Sequence, residues 1–239
     1  MRIWITGAST GIGAATAREL ATRGHQLFLT ARSADKLAEI PGMVKPGDVT
    51  DREAMRRIAE EIAPVDVALL SAGTYESVTP ETFRAEIFRS HIDVNVMGAV
   101  HCIESVLPDM LRRRAGRIAV VASVTGFAGL PRAEAYGATK AFLISMCDSL
   151  RADLDGSGVE VTVINPGYVR TPLTDQNDFE MPFLMEVAEA ARIIADGLER
   201  GKSEISFPVR MALAMKLLGA VPAVVARPYT ARIARRLRR

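Results

Sequence analysis

The sequence predicts one α/β domain of the doubly wound type, with a seven-stranded, mostly parallel sheet and helices on both of its faces. Short apolar runs, typical of strands that are buried on both sides, recur along the chain and alternate with longer helical patterns. Strict alternation of strand and helix favours a parallel sheet. The 239 residues suit one sizeable domain and are too few for two ordinary domains with a linker.

The individual elements follow from these runs in chain order. The predicted strands cover residues 2–6, 26–30, 44–48, 65–70, 117–122, 160–164 and 204–207. The predicted helices lie between them, over residues 12–23, 52–62, 80–113, 135–154 and 186–200. This order makes a Rossmann-type sheet, in which a ligand binds beyond the carboxyl ends of the strands.

A glycine-rich turn joins the first strand to the first helix, and residues 6–13 read TGASTGIG. Such a turn lets the backbone approach a pyrophosphate, whose charge is met by N–H groups and the positive end of the helix dipole. The Gly-x-x-x-Gly-x-Gly spacing departs from the commoner Gly-x-Gly-x-x-Gly fingerprint. The alternative is a tight turn that needs glycine only for positive φ and close packing. We predict a dinucleotide site.

A phenol and an ammonium lie four residues apart, at Tyr136 and Lys140, and therefore on one face of a predicted helix. A nearby cation stabilises a phenolate, so we expect Lys140 to lower the pKa of Tyr136. Ser123 ends an apolar run upstream and offers a hydroxyl for a carbonyl oxygen that develops negative charge. A Tyr-x-x-x-Lys pair also occurs by chance on helix surfaces, and the glycine-rich turn favours the chemical interpretation.

In this order the motifs resemble the short-chain dehydrogenase/reductase family, from Met1 to about Ser206. One departure is Ser71, where the family often has asparagine. Further matches are Asp48-Val49, Ala72-Gly73, Asn95-Val96-Met97-Gly98, and Pro166-Gly167 with Thr171.

The resemblance implies roles for these residues. Tyr136 would be the catalytic acid in reduction and the base in oxidation, Ser123 would orient the carbonyl oxygen, and Lys140 would also bond the nicotinamide ribose. Asn95 would distort its helix and hold a water that leads to Lys140; the alternative is a polar residue that bonds its own backbone. The implied cofactor-binding residues are Gly7, Ser9, Thr10, Gly11, Ile12, Gly13, Asp48, Val49, Ala72, Gly73, Tyr136, Lys140, Pro166, Gly167, Val169 and Thr171.

The end of the second predicted strand favours NADP(H) over NAD(H). An NAD enzyme usually has an Asp or Glu there, which bonds the ribose 2′-hydroxyl and repels a 2′-phosphate. This chain has Ala31 in that place and Arg32 next to it. A guanidinium pairs well with phosphate, and Ser9, Thr10 and Ser33 offer hydroxyls. The alternative for Arg32 is a solvated surface charge.

Composition excludes several other classes. A net charge of +2 with 5% aromatic residues gives no stacking platform for nucleic acid. Cys102 and Cys147 lack metal-ligand spacing and the three histidines do not cluster, so we expect no metal site. Reduced core cysteines, and a first strand that begins at once in place of a signal peptide, favour a cytoplasmic protein.

The segment 172–185 contains Phe, Met and Leu interrupted by prolines. We interpret it as a mobile lid with an apolar side toward the substrate, which favours an apolar carbonyl or alcohol. The alternative is a helix docked on the core.

The last residues, 208–239, form a predicted helical, arginine-rich extension of a catalytic domain that spans residues 1–207. Residues 211–226 are apolar apart from Lys216, and six arginines follow in the last thirteen residues. Pro222 interrupts the apolar part, which is shorter than the roughly 20 residues that span a bilayer. The extension therefore contacts an anionic membrane peripherally, packs on a neighbouring subunit or stays solvated.

The family resemblance also implies a homodimer or homotetramer formed by the helices 80–113 and 135–154. The apolar candidates for that contact are Val100, Ile103, Leu107, Phe142 and Met146. The function that the sequence favours is an NADP(H)-dependent oxidoreductase that acts on a small carbonyl or alcohol. The alternative is a catalytically silent Rossmann-fold regulatory protein, which is disfavoured because Ser123, Tyr136 and Lys140 are all present.

Overall fold

A computed structural model describes residues 1–237 and contains the predicted sheet. All seven strands are parallel, in the order β3-β2-β1-β4-β5-β6-β7, so the predicted fold class is confirmed. The strands are β1 (Arg2–Thr6), β2 (Gln26–Thr30), β3 (Met43–Val44), β4 (Val67–Leu70), β5 (Gly116–Val121), β6 (Val159–Pro166) and β7 (Glu204–Phe207).

Helices connect the strands and cover both faces of the sheet. They are α1 (Gly11–Thr22), α2 (Ala34–Ala38), α3 (Arg52–Ile62), α4 (Ala85–His91), α5 (Gly98–Arg113), α6 (Glu134–Asp153), α7 (Val187–Glu199), α8 (Val209–Ala220) and α9 (Ala223–Leu237). A π-helical segment, Ile92–Met97, joins α4 to α5, and a 3₁₀ turn, Val124–Gly126, follows β5.

The side chains of β1 show how one strand supplies two cores. Trp4 packs with α3, α5 and α6 on one face, whereas Ile3 and Ile5 pack with α1 and α7 on the other. Successive side chains of a strand point to opposite faces, so both faces must be apolar. The buried indole of Trp4 donates to Oγ1 of Thr30 at 2.9 Å, which satisfies its N–H.

Two predicted elements differ from the structure for local reasons. β3 was expected over residues 44–48, but its ladder to β2 ends at Val44. Backbone bonds to the β2 side continue beyond it, from the Lys45 N–H to the Leu29 carbonyl at 2.9 Å and from the Gly47 N–H to the Ala31 carbonyl at 3.1 Å. The helix expected to begin at residue 80 begins at Ala85, because Thr79 and Thr82 bond each other's backbone and side chains in a local turn.

The apolar candidates for a subunit contact are mostly not exposed. Ile103 is buried in the core, and Leu107 and Met146 pack against it. Phe142 is the exception, with 47% of its surface exposed. The prediction of an exposed apolar face was wrong for Ile103, because α5 turns that side chain toward α3 and the sheet.

The extension after β7 is helical, with α8 and α9 separated at Pro222. Within residues 1–237, no helix is long and apolar enough to cross a membrane. Arg238 and Arg239, which belong to the predicted basic end, lie outside the described residues.

Candidate active site

A cleft of about 580 Å³ opens at the carboxyl ends of the strands, where the strand order reverses between β1 and β4. Ligands of α/β sheets bind at such a switch point. All the predicted cofactor residues line this cleft, together with Ser123, whereas Asn95 lies behind its wall. The lining includes Gly7, Ser9, Thr10, Gly11, Ile12, Gly13, Arg32, Asp48, Val49, Ala72, Gly73, Tyr136, Lys140, Pro166, Gly167, Val169 and Thr171.

The glycine-rich turn is packed too tightly for side chains. Gly7 has a φ of +65°, and a Cβ there would lie 2.6 Å from the backbone N of Ala72. A Cβ on Gly13 would overlap the carbonyl oxygen of Gly7. The turn therefore crosses directly from β1 to the start of α1, against the backbone that follows β4.

The N-terminus of α1 has no capping side chain. Thr10 occupies the N-cap position without a side-chain hydrogen bond, and no acidic residue lies in the first turn. The first N–H groups of a helix lack partners within the helix and attract anions together with the helix dipole. This end of the cleft fits the pyrophosphate of a dinucleotide.

Tyr136 faces the cleft from α6, with its ring edge against Tyr75 at a centroid distance of 5.3 Å. Burial raises the pKa of Tyr136 to about 12, although its interaction with the Ser123 side chain lowers it in part. This direction is opposite to the one predicted from the sequence. The reason is that desolvation of the phenolate outweighs the stabilising contacts around it.

Lys140 lies one helical turn further on, and its Nζ is 5.4 Å from the centre of the Tyr136 ring. The ammonium donates to the carbonyl oxygen of Val121 at 2.8 Å. Burial lowers the pKa of Lys140 to about 8. The ammonium has three donors, so further partners in the cleft can bond it.

The Ser123 hydroxyl is held by its neighbour Thr125. It accepts from the Thr125 N–H at 3.2 Å and from Oγ1 of Thr125 at 2.9 Å. Its own donor bond, to the Pro166 carbonyl, is long at 3.4 Å. A long bond is weak, so the Ser123 proton is available to an oxygen atom in the cleft. The sequence analysis missed Thr125, which no motif marks.

Asn95 lies in the π-helical segment, as the predicted helix distortion requires, and it is 1% exposed. Its Nδ2 donates to the Thr74 carbonyl and to Oγ1 of Thr139, at 3.0 and 3.1 Å. Its Oδ1 accepts from the Thr74 N–H at 2.7 Å. Asn95 therefore joins the chain after β4 to helix α6. A Cβ on Gly73 would lie 3.4 Å from Oδ1 of Asn95 and 3.7 Å from Nζ of Lys140.

The opposite end of the cleft is basic. Arg32 is exposed there, and Ala31 and Ser33 line the wall beside it. Lys36 adds a second cation that the sequence analysis missed. It lies on α2, a helix of five residues, too short for a recognisable period in the sequence.

The segment 172–184 borders the cleft without forming a docked helix. The segment ends at Met185, which pairs with Val169 in a short parallel bridge. The Met185 N–H donates to the Tyr168 carbonyl, and the Met185 carbonyl accepts from the Arg170 N–H. Phe179 stacks edge-on against Tyr168 at a centroid distance of 6.1 Å. Asp178 forms an ion pair with Arg132, at 2.5 Å.

Comparison with known proteins agrees with this geometry. The sequence profile of the short chain dehydrogenase family matches residues 2–181. An uncharacterized oxidoreductase of Myxococcus xanthus is 38% identical over an alignment of 247 positions, which covers 98% of this chain and 96% of that protein.

Solved structures share the fold. A short-chain dehydrogenase from Sphingobium yanoikuyae in complex with NADPH has a TM-score of 0.80 at 27% identity, over 98% of this chain and 94% of that one. A short chain dehydrogenase from Burkholderia cenocepacia in complex with NADP has a TM-score of 0.84 at 24% identity, over 95% and 96% of the two chains. This chain therefore belongs to the short-chain dehydrogenase/reductase family and is an oxidoreductase that uses a nicotinamide cofactor.

Proposed function

We propose that this protein is an NADP(H)-dependent oxidoreductase that interconverts an apolar carbonyl compound and its alcohol. The proposal rests on one observation. Tyr136, Lys140 and Ser123 line the same cleft as the glycine-rich turn that fits the pyrophosphate of a dinucleotide. When bound, the nicotinamide cofactor supplies or accepts the hydride.

The protein's own residues handle the proton and the charge. In reduction, Tyr136 donates its phenolic proton to the carbonyl oxygen, and Ser123 donates a second hydrogen bond to the same oxygen. The ammonium of Lys140 stabilises the phenolate that remains. In oxidation the same groups act in reverse, with Tyr136 as the base. Asn95 is a positioning residue, because it fixes the chain after β4 to α6, which carries Tyr136 and Lys140.

The cleft offers a partner for each part of the cofactor. The turn at residues 7–13 and the uncapped start of α1 suit the pyrophosphate, and Asp48 and Val49 suit the adenine end. Ala72 and Gly73 leave room for a ribose beside Lys140. The backbone from Pro166 to Thr171 suits the carboxamide of the nicotinamide.

The preference for NADP(H) rests on Arg32 and Lys36, and on Ala31 at the end of β2, where a carboxylate would bond the ribose 2′-hydroxyl. Two cations attract a 2′-phosphate, and a carboxylate in their place would repel it. The NADPH in the related Sphingobium structure supports the same choice.

An apolar substrate is supported by the side chains near Ser123. Val121 and Ala122, which precede Ser123 in the chain, line the cleft together with Pro172 and Leu173. A pocket with an apolar wall and a few placed polar groups is typical of small-molecule sites.

The test is a panel of apolar ketones, aldehydes and alcohols with NADPH or NADP⁺, followed by nicotinamide absorbance. Tyr136→Phe should lower turnover by roughly 10² to 10⁴ and leave NADPH binding, followed by its fluorescence, nearly intact. Tyr75→Phe is the matched control, because it keeps a ring against residue 136. Full turnover in Tyr136→Phe would remove that residue from its role. Cofactor binding without turnover of any panel member would favour the catalytically silent alternative.

We also infer that residues 1–207 form the catalytic domain, that residues 208–239 are an extension of it, and that the protein is a homodimer or homotetramer. The oligomer rests on the family resemblance, and the exposed ring of Phe142 on α6 is the candidate residue for the subunit contact.

A further inference from the structure

The extension carries a concentration of positive charge. Residues 208–239 contain seven arginines, one lysine and no acidic residue, so the net charge of +2 leaves −6 on residues 1–207. Lys216 is paired with Glu204. Arg210, Arg227, Arg232 and Arg235 form no ion pair with the side chains that the structure describes. Arg227 lines a pocket that Glu81 and Glu134 also line, so the exposed guanidinium groups of Arg210, Arg232 and Arg235 are the ones available to an external anion.

The outer face of the extension is apolar. Val209, Leu213 and Leu217 follow one another at intervals of four along α8, which places them on one face of that helix. Leu213 is 56% exposed and Leu217 is 67% exposed. After the break at Pro222, Val224 continues the apolar surface at 78% exposure. We call these four residues the apolar stripe.

The inner face of α8 is packed against the substrate end of the cleft. Met211, Ala212 and Met215 are buried against Val124 and Phe127. The sulfur of Met211 lies 2.8 Å from the position that a Cβ on Gly167 would occupy, and Gly167 lines the cleft. Helix α8 therefore separates the apolar stripe from the candidate active site by a single layer of side chains.

We propose that the apolar stripe and the exposed arginines Arg210, Arg232 and Arg235 form a docking surface for an anionic lipid bilayer. An apolar helix face inserts at the boundary of head groups and acyl chains, while the cations bind the anionic lipids. A contact between the extensions of two copies fits less well, because each would bring the same positive charge to it. Docking places the substrate end of the cleft next to the bilayer, where apolar carbonyl compounds concentrate. This last consequence rests on the proposed function.

Vesicle flotation of the full chain tests the proposal. Vesicles of phosphatidylcholine that also contain phosphatidylglycerol should bind the protein, and vesicles of phosphatidylcholine alone should bind it much less. Added salt should weaken the binding, because it screens the arginines. A wild-type protein that stays in solution with both kinds of vesicle at low salt overturns the proposal.

Two sets of variants separate the contributions. Arg210→Gln, Arg232→Gln and Arg235→Gln together should lower the partition coefficient by about 100-fold, since each arginine near an anionic surface is worth about fivefold. Leu213→Ser, Leu217→Ser and Val224→Ser together should lower it by at least about tenfold. These side chains are exposed, so the fold tolerates the changes, and thermal unfolding checks that it does.

The matched control changes three exposed arginines outside the extension that form no described ion pair: Arg57→Gln, Arg192→Gln and Arg200→Gln. Binding should be unchanged, although the net charge is altered equally. An equal loss in the control would show attraction by net charge alone and contradict a docking surface. Tail variants that change only the sedimentation coefficient would favour a second copy as the partner. Tyr136→Phe should still bind the vesicles, which separates this proposal from the catalytic one.

Discussion

The side-chain amide of Asn95 forms two hydrogen bonds with the backbone of Thr74. It donates to the carbonyl oxygen at 3.0 Å and accepts from the N–H at 2.7 Å. A side-chain amide can replace a strand neighbour in this way, since it carries one acceptor and two donors. The segment after β4 is thereby fixed to the helix that leads into α5. The same amide reaches Thr139 on α6, so one side chain holds three parts of the cleft wall.

We expect Asn95→Ala to unfold more easily and to turn over more slowly. The loss of its buried hydrogen bonds should lower the free energy of unfolding by about 3 kcal/mol. Urea unfolding and turnover measured on the same preparation check this. Asp93→Ala is the matched control, because Asp93 is an exposed residue of the same π-helical segment. Equal stability of the two variants would mean that the hydrogen bonds of Asn95 to Thr74 and Thr139 do not stabilise the fold.

We expect Arg32→Ala to bind NADPH more weakly while NADH binding changes little. Loss of charge-assisted bonds to a 2′-phosphate is worth roughly 1.5 to 3 kcal/mol. Titration of both cofactors by fluorescence measures the two dissociation constants. Lys36→Ala should act in the same direction, and Lys45→Ala, outside the cleft, should not. An equal loss for both cofactors in Arg32→Ala would show that the arginine does not recognise the phosphate.

The sequence predicts the strands of this protein well because their apolar character is local. The parallel sheet follows from the alternation of strands and helices, and the glycine-rich turn marks the cleft at its start. Helix α2 was not predicted, since five residues are too few to show a period. The π-helical segment was expected only through the family resemblance of Asn95.

Contacts that depend on the conformation of a loop were not predictable from the residues themselves. The Thr125 N–H donates to Ser123, and the Glu76 N–H donates to the ring of His91. Both hydrogen bonds depend on how the loops after β5 and β4 fold. The direction of the Tyr136 pKa shift was wrong for a related reason. A sequence shows that a cation lies four residues away, but it does not show how much water burial removes from the phenol.

We expect Phe142→Ser to weaken association between copies of this chain. Phe142 is 47% exposed on α6, and its ring is the largest exposed apolar group among the candidates for that contact. Sedimentation velocity at micromolar concentration should show a dimer or tetramer for the wild type and a shift toward monomer for the variant. Ser substitution at Phe83, another exposed ring, is the control. A wild-type protein that sediments only as a monomer would contradict the oligomer.

We expect Lys140→Met to be inactive but more stable than the wild type without cofactor. Burial lowers the pKa of Lys140 from 10.5 to about 8, so the folded state disfavours the charged ammonium. Removing the charge, less the cost of the lost bond to the Val121 carbonyl, should raise the free energy of unfolding by roughly 2 kcal/mol at neutral pH. Urea unfolding across a pH series measures the difference between the two proteins.

The pH dependence of that difference has a definite sign. Below about pH 8 the lysine is protonated in both the folded and the unfolded state, so the wild type carries the full cost of the buried charge. Between about pH 8 and 10.5 the folded state releases its proton first, and the stability of the wild type rises toward that of the variant. Tyr136, whose pKa is raised to about 12, destabilises both proteins only above about pH 10, at the upper end of this range. Lys202→Met, at an exposed lysine, should show no such convergence. A constant difference between Lys140→Met and the wild type across this range would mean that Lys140 is not buried as a charged group.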